Sequence, residues 1–178
     1  MKVNEERIVC AGFGGQGIMI LGKLIAYCGM KNNLNVTWMP SYGAEVRGGT
    51  AHCTVVFSSG EIASPTVTAC DTAIIMNGPS LDKFIKQITP GGLLILNSSL
   101  VDVPIKRKDI KIVRVPMTDI AHSLGNVRVA NMISLGVYVK EKNLFPSDIA
   151  KKGIKIAFSN NKNLITINLK ALKLGLDQ

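Results

Sequence analysis

Apolar residues along this chain fall into short continuous runs that alternate with stretches where they recur every third or fourth position. Residues 7–11 form the first continuous run, the mark of a buried strand, and pass at once into Gly12-Phe13-Gly14-Gly15-Gln16-Gly17. Ile18, Leu21, Leu24, Ile25 and Cys28 then share one face of an amphipathic helix, and Asn32, Asn33 and Asn35 mark its exit. A short second strand is expected over 36–39, stopped by Pro40, with 40–50 a loop by composition. Residues 51–57 are β-branched or apolar and predict a strand; Ser58-Ser59-Gly60 predicts a turn, with 61–63 returning as a short antiparallel strand. Further strands are predicted over 71–76, 93–96 and 110–115. Ser80 is the expected cap of a helix running to Ile88 with Leu81, Phe84, Ile85 and Ile88 as its stripe. Helical patterns then follow at 119–124, 127–141, from Pro146 to Ala157, and 164–174.

Strands that alternate with helices predict an α/β fold: a doubly wound, mainly parallel sheet with helices on both faces, a C-terminal helical cluster, and one hairpin over 51–63. No internal repeat, low-complexity stretch or linker interrupts residues 1–178, so one domain is expected.

Composition narrows this picture. Hydrophobic residues make up 47% and charged residues 19% of the 178, enough apolar material for a sizeable core. The polar start predicts no export signal and no apolar run is long enough for a membrane helix, so the expectation is a cytoplasmic protein without a membrane partner. Cys10, Cys28, Cys53 and Cys70 are unevenly spaced with no C-x-x-C pair, which predicts buried reduced thiols and neither zinc nor an iron–sulfur cluster held by this chain. The net charge of +9 comes from lysines scattered over the second half, without a dense basic run interleaved with aromatics. That pattern predicts a solvated surface or electrostatic help in docking an acidic partner, not a nucleic-acid site.

Two segments carry candidate chemistry. Gly12, Gly14 and Gly17 satisfy G-x-G-x-x-G between a strand and a helix, where the glycines permit a tight turn, backbone approach to a ligand, and helix–strand packing. A dinucleotide site also wants an acid at the end of the second strand, where this chain has Met39-Pro40-Ser41. A phosphate-type contact without a dinucleotide and a purely structural turn both stay open. Gln16 brings an amide to the helix opening, either for a ligand or neighbouring chain or simply facing solvent. The second segment, 40–50, joins the aromatic tip of Tyr42, the charges of Glu45 and Arg47, and Gly43, Gly48 and Gly49. It follows the second strand at the sheet edge where ligands bind in open α/β folds, unless Glu45 and Arg47 merely close the loop on each other.

The ordered set GFGGQG, PSYGAEVRGGTA, SPTV from Ser64, DTAIIMN from Asp71, NVRVANMISLG around Asn131 and ITINLKALKLG near the end resembles the gamma subunit of 2-oxoacid:ferredoxin oxidoreductases. Val46-Arg47-Gly48-Gly49 brings it nearest the 2-oxoglutarate class. The resemblance implies a complex that converts a 2-oxoacid and coenzyme A to acyl-coenzyme A, carbon dioxide and reduced ferredoxin. Thiamine diphosphate, magnesium and iron–sulfur clusters belong to partner subunits, with no cofactor in this chain; it lacks both a cluster framework and a G-D-G motif followed by the thiamine-site asparagine. The implied roles are to shape the subunit interface and the approach of coenzyme A, without a catalytic residue. The expected ligand or interface residues are Gly12, Gly14, Gly15, Gln16 and Gly17, the loop residues Ser41, Tyr42, Gly43, Glu45, Arg47, Gly48 and Gly49, and Asn131. Sister subunits are the implied partners, ferredoxin is reached through them, and a homodimer is expected of the isolated chain. The rival readings are a stand-alone nucleotide- or coenzyme-A-binding module and a free-standing dinucleotide oxidoreductase.

Overall fold

Five of the six strands in the sheet point the same way, and the exception, β3, is wedged between two of them. The computed structural model describes residues 5–41 and 50–178. In chain order the elements are β1 (Glu5–Phe13), α1 (Ile18–Lys31), β2 (Asn35–Ser41), β3 (Thr50–Ser58), β4 (Cys70–Ile75), α2 (Gly78–Phe84), β5 (Ile88–Asn97), β6 (Lys111–Val115), α3 (Met117–Ser123), α4 (Ala130–Lys142), α5 (Ser147–Ala157) and α6 (Lys162–Leu176). The strand order is β2-β3-β1-β4-β5-β6. β1, β4, β5 and β6 pair in parallel, and β3 runs antiparallel to both β1 and β2.

β1 sits near the middle of this sheet, which is why its sequence is a continuous apolar run. Ile8 and Cys10 face one side, Val9 and Ala11 the other, and all four are fully buried. The face under Ile8 and Cys10 carries the larger core, built from the apolar stripe of α1 and from α3 to α6. The opposite face is covered more thinly, by Leu81 and Phe84 of α2 and by the segment after β5, through Val101, Ile105 and Ile110. Helices therefore lie on both faces, and the C-terminal cluster is the thick layer.

Four local expectations are corrected. Residues 61–63 form no strand, because both edges of β3 are already taken by β1 and β2 and no ladder remains for a third partner. The hairpin is instead β2–β3. β2 continues through Pro40 to Ser41, since it is an edge strand and a missing N–H costs little there. The cap of α2 is Asn77 rather than Ser80: the Asn77 side chain accepts from the Ser80 backbone N at 2.9 Å, so the helix starts at Gly78 with a proline in its first turn. α2 also ends earlier than its apolar stripe suggests. A 3₁₀ turn over Ile85–Gln87 follows it, and Ile88 already opens β5, which runs through Gly91 and Gly92.

Candidate functional site at the carboxyl edge of the sheet

β1 leads into α1 on one face, and its neighbour β4 leads into α2 on the other. The chain thus splits between these two strands, and the crevice at their carboxyl ends is where open α/β sheets bind ligands. The glycine turn lies at this point. Gly15 and Gly17 take positive φ angles of 93° and 72°, a region that a residue with a Cβ enters at a cost. Gly17 is the N-cap of α1, and no acidic residue occupies the helix's first turn. Gly12 still belongs to β1; a Cβ there would stand 2.5 Å from the Gln16 side chain and 2.9 Å from Met76. Gly14 is exposed.

The Gln16 amide is engaged inside the turn. Its Oε1 accepts from the Phe13 backbone N at 2.6 Å and its Nε2 donates to the Met76 carbonyl at 3.4 Å, so the turn is stapled to the end of β4. Asn131, at the start of α4, is buried and donates from Nδ2 to the Gly17 carbonyl at 3.1 Å, while its Oδ1 has no protein donor. Asn97, at the end of β5, donates to Thr118 Oγ1 at 2.9 Å and to the Met76 carbonyl at 3.4 Å, which locks α3 onto the same edge. Sequence reading passed over Asn97, Thr118 and Arg128. Only Arg128 had a signal, its place inside the NVRVANM stretch.

Arg128 is exposed and forms no ion pair among the described residues. It borders two cavities on either side of the glycine turn. One, about 160 Å³, reaches Gln16, Leu100 and Thr118; the other, about 280 Å³, reaches Gly17, Asn131, Phe158 and Leu164. Around them stand four exposed apolar side chains, Phe13, Ile20, Leu100 and Val127, the last 51% exposed. Exposed apolar side chains that gather beside polar groups mark interaction surfaces.

The second loop starts and ends at this edge. Ser41 lies opposite His52, His52 opposite Ala11, and Thr50 opposite Phe13. The flanks of the two loops thus share one edge of the sheet. Tyr42, Gly43, Glu45, Arg47, Gly48 and Gly49 themselves lie outside the described residues. β3 separates β1 from β2, so the end of β2 is two strand spacings, roughly 10 Å, from the glycine turn. The position that binds ribose in a dinucleotide fold is therefore displaced as well as lacking an acid.

Among the described residues the remaining titratable groups do not assemble a reaction centre. His52 packs its ring 5.0 Å from that of Phe84, and burial, with Lys83 nearby, holds it below the ordinary histidine range. All four cysteines are buried and unpaired; burial pushes Cys28 and Cys70 up to about 12, so neither is a ready nucleophile. Among the described residues no group of three His, Cys, Asp or Glu converges as a metal site.

Comparison with known proteins bears on this architecture. The family model described as pyruvate ferredoxin/flavodoxin oxidoreductase matches residues 7–178. The ketoisovalerate oxidoreductase subunit VorA of Methanothermobacter marburgensis is 34% identical over 99% of this chain, which spans 37% of that protein. The 2-oxoglutarate synthase subunit KorC of Methanothermobacter thermautotrophicus is 30% identical, with 87% of this chain and 85% of that protein covered. The chain thus spans little more than a third of the first relatives it matches and most of others. In fold it is similar to 2-oxoglutarate:ferredoxin oxidoreductase from Magnetococcus marinus, solved with 2-oxoglutarate, coenzyme A and succinyl-CoA bound (TM-score 0.90, 23% identity, 99% of this chain and 31% of that one). It is also similar to the keto/oxoacid ferredoxin oxidoreductase gamma subunit from Geobacter sulfurreducens (TM-score 0.85, 24% identity, 98% and 96% covered). By a family match that runs over nearly all of its length, the chain belongs to the pyruvate ferredoxin/flavodoxin oxidoreductase family.

Proposed function

We propose that this chain is the gamma subunit of a 2-oxoacid:ferredoxin oxidoreductase and acts only within a multisubunit, cytoplasmic assembly. The observation that carries this reading is the family match over residues 7–178, joined to a KorC relative of which the chain covers 85%. The oxidative decarboxylation to acyl-coenzyme A belongs to sister chains that hold thiamine diphosphate, magnesium and the iron–sulfur clusters, and ferredoxin is reduced through them. This chain contributes a surface. Phe13, Ile20, Leu100 and Val127 dock against the thiamine-bearing chains, and the glycine turn with the 42–49 loop lines the approach of coenzyme A. Arg47 there offers a fixed positive charge to its phosphates. In the absence of sister chains the same apolar collar pairs two copies. No described helix is long and apolar enough to cross a membrane.

The proposed oxoacid is 2-oxoglutarate, the substrate class named for the KorC relatives. A branched-chain oxoacid is the second reading, favoured by 34% and 32% identity to two ketoisovalerate subunits. The test is co-expression with the candidate sister chains followed by viologen-dye reduction with each oxoacid and coenzyme A. The expected result is activity from the complex, none from the isolated chain, and a clear preference for 2-oxoglutarate. Dye reduction by the isolated chain alone, or failure to co-purify with any sister chain, would overturn the subunit reading.

A further inference from the structure

β4 and β5 are joined through a helix, but the chain between β5 and β6 is not. Residues 101–108 cross the thinly covered face of the sheet without helix or ladder, alongside α2. Two arginines strap this segment down. Arg107 donates to the Ile85 and Ile88 carbonyls, both at 3.0 Å, and Arg114 donates to the Val103 carbonyl at 2.6 Å. Ile105 and Arg107 are half-buried while Lys106 and Lys108 are exposed, the alternation of an extended strand. Its main chain is free. Among the described residues, no backbone N–H from 102 to 108 meets an acceptor in this chain, and no carbonyl from 104 to 108 meets a donor. A groove of about 380 Å³ separates the segment from α2. Leu81, Ile85, Val103 and Ile105 give it an apolar lining, and Lys86 and Lys106 stand exposed at its rim. Neither lysine forms an ion pair among the described residues, whereas Arg107 is neutralised by Asp109. Of the lining residues only Asp82 is acidic.

We propose that this groove docks an extended, acidic segment of a partner protein. The segment adds a strand along the free main chain of 105–108, seats an apolar side chain on Leu81, Ile85 and Ile105, and sets carboxylates against Lys86 and Lys106. A strand is the occupant that uses an unpaired row of N–H and C=O groups; a partner helix has already satisfied its own. The apolar lining then selects alternate side chains, and the two unpaired cations select their neighbours' charge. A second copy of this chain is the wrong partner, because two molecules of net charge +9 repel. Naming the partner as a sister subunit rests on the subunit reading above; the chemistry of the groove does not.

The test is calorimetric titration of the full chain with a short peptide that alternates glutamate and leucine. The controls are its lysine–leucine counterpart, the acidic peptide N-methylated along its main chain, and hexanoate. The acidic peptide should bind at least tenfold more tightly than each control, and its lead over the lysine peptide should shrink in high salt. It should also slow hydrogen–deuterium exchange of the 105–108 amides. Lys86 and Lys106 are exposed, so Lys86→Glu combined with Lys106→Glu leaves the fold intact. That pair should weaken the acidic peptide tenfold or more and strengthen the lysine peptide. No binding of the acidic peptide, equal binding of its N-methylated form, or indifference to the charge reversal each overturns the proposal. Equal binding of hexanoate overturns it too, by making the groove a site for a small amphipathic anion. In the co-expressed assembly, slower exchange at 105–108 than in the isolated chain identifies a sister subunit as the partner. A chain that binds the acidic peptide yet co-purifies with no sister chain keeps the groove and loses the subunit reading. A stable assembly whose 105–108 amides exchange as fast as in the isolated chain, with no peptide bound, does the reverse.

Discussion

Replacing Gly17 by alanine should disrupt the junction between the glycine turn and α4, and Gly15→Ala supplies the matched control. Both glycines hold positive φ, so both variants carry about 1–2 kcal/mol of left-handed backbone strain. In each, alanine returns about 0.4–1 kcal/mol by narrowing the unfolded ensemble. The two sites then differ in what the new methyl meets. At Gly15 nothing lies within 4 Å, whereas at Gly17 the Cβ would stand 2.2 Å from Asn131 Nδ2 and 3.0 Å from its Cγ. The Asn131 side chain is buried and cannot swing away without breaking its bond to the Gly17 carbonyl, and that leaves a second polar atom unpaired. An unsatisfied buried group costs about 1–3 kcal/mol. Gly15→Ala should therefore lose roughly 1 kcal/mol net, and Gly17→Ala about 2–4 kcal/mol. Urea denaturation followed by far-ultraviolet circular dichroism measures both. Asn131→Ala in the Gly17→Ala background should relieve the overlap, giving a coupling of about 1 kcal/mol or more in a double-mutant cycle. Equal losses at the two glycines, or strict additivity with Asn131→Ala, would refute the reasoning.

Two further outcomes test the frame around the site. α4 and α6 cross at Gly136, where a Cβ would stand 2.3 Å from the Leu172 carbonyl oxygen, a backbone atom that cannot rotate aside. Gly136→Ala should thus lose about 1–3 kcal/mol despite alanine's better helix propensity, and melt about 3–10 °C lower. A higher melting temperature would show that the helices do not approach this closely. Glu6 is buried between Thr72 and Lys142, with bonds of 2.7 and 2.8 Å. Burial raises its pKa above the ordinary carboxylate value, with Asp71 adding to the rise and Lys142 and Thr72 opposing it. A carboxyl raised on folding contributes stability below its unfolded pKa and loses that contribution as pH rises through its folded one. Lys142→Met removes the opposing cation, so the variant should be destabilised by about 1–3 kcal/mol at neutral pH and recover towards pH 4. A pH series of urea midpoints checks this, and a loss of equal size at every pH would argue that Glu6 stays ionised without its partner.

The order of elements and the place of the glycine turn were set by the amino-acid sequence, because both depend on local pattern. The continuous apolar run of β1 reports burial on both faces, and the 3.6-residue stripe of α1 reports a helix with one buried side. The motif resemblance was likewise readable, since its residues recur in a fixed order along the chain. Pairing was not readable. Residues 51–57 announce a strand but not its neighbours; β3 settles between β1 and β2 because an antiparallel partner is chosen by the whole sheet, and that choice leaves 61–63 without a ladder. The capping exchange at α2 escaped for a related reason: Asn77 and Ser80 are both good cap residues, and the chain's direction as it leaves β4 decides between them. The site depended most on tertiary structure. Asn131 reaches Gly17 across 114 residues, and Arg128 comes to the glycine turn only because α4 packs against the start of α1. Contacts of that separation arise from how the layers pack, which no local pattern encodes.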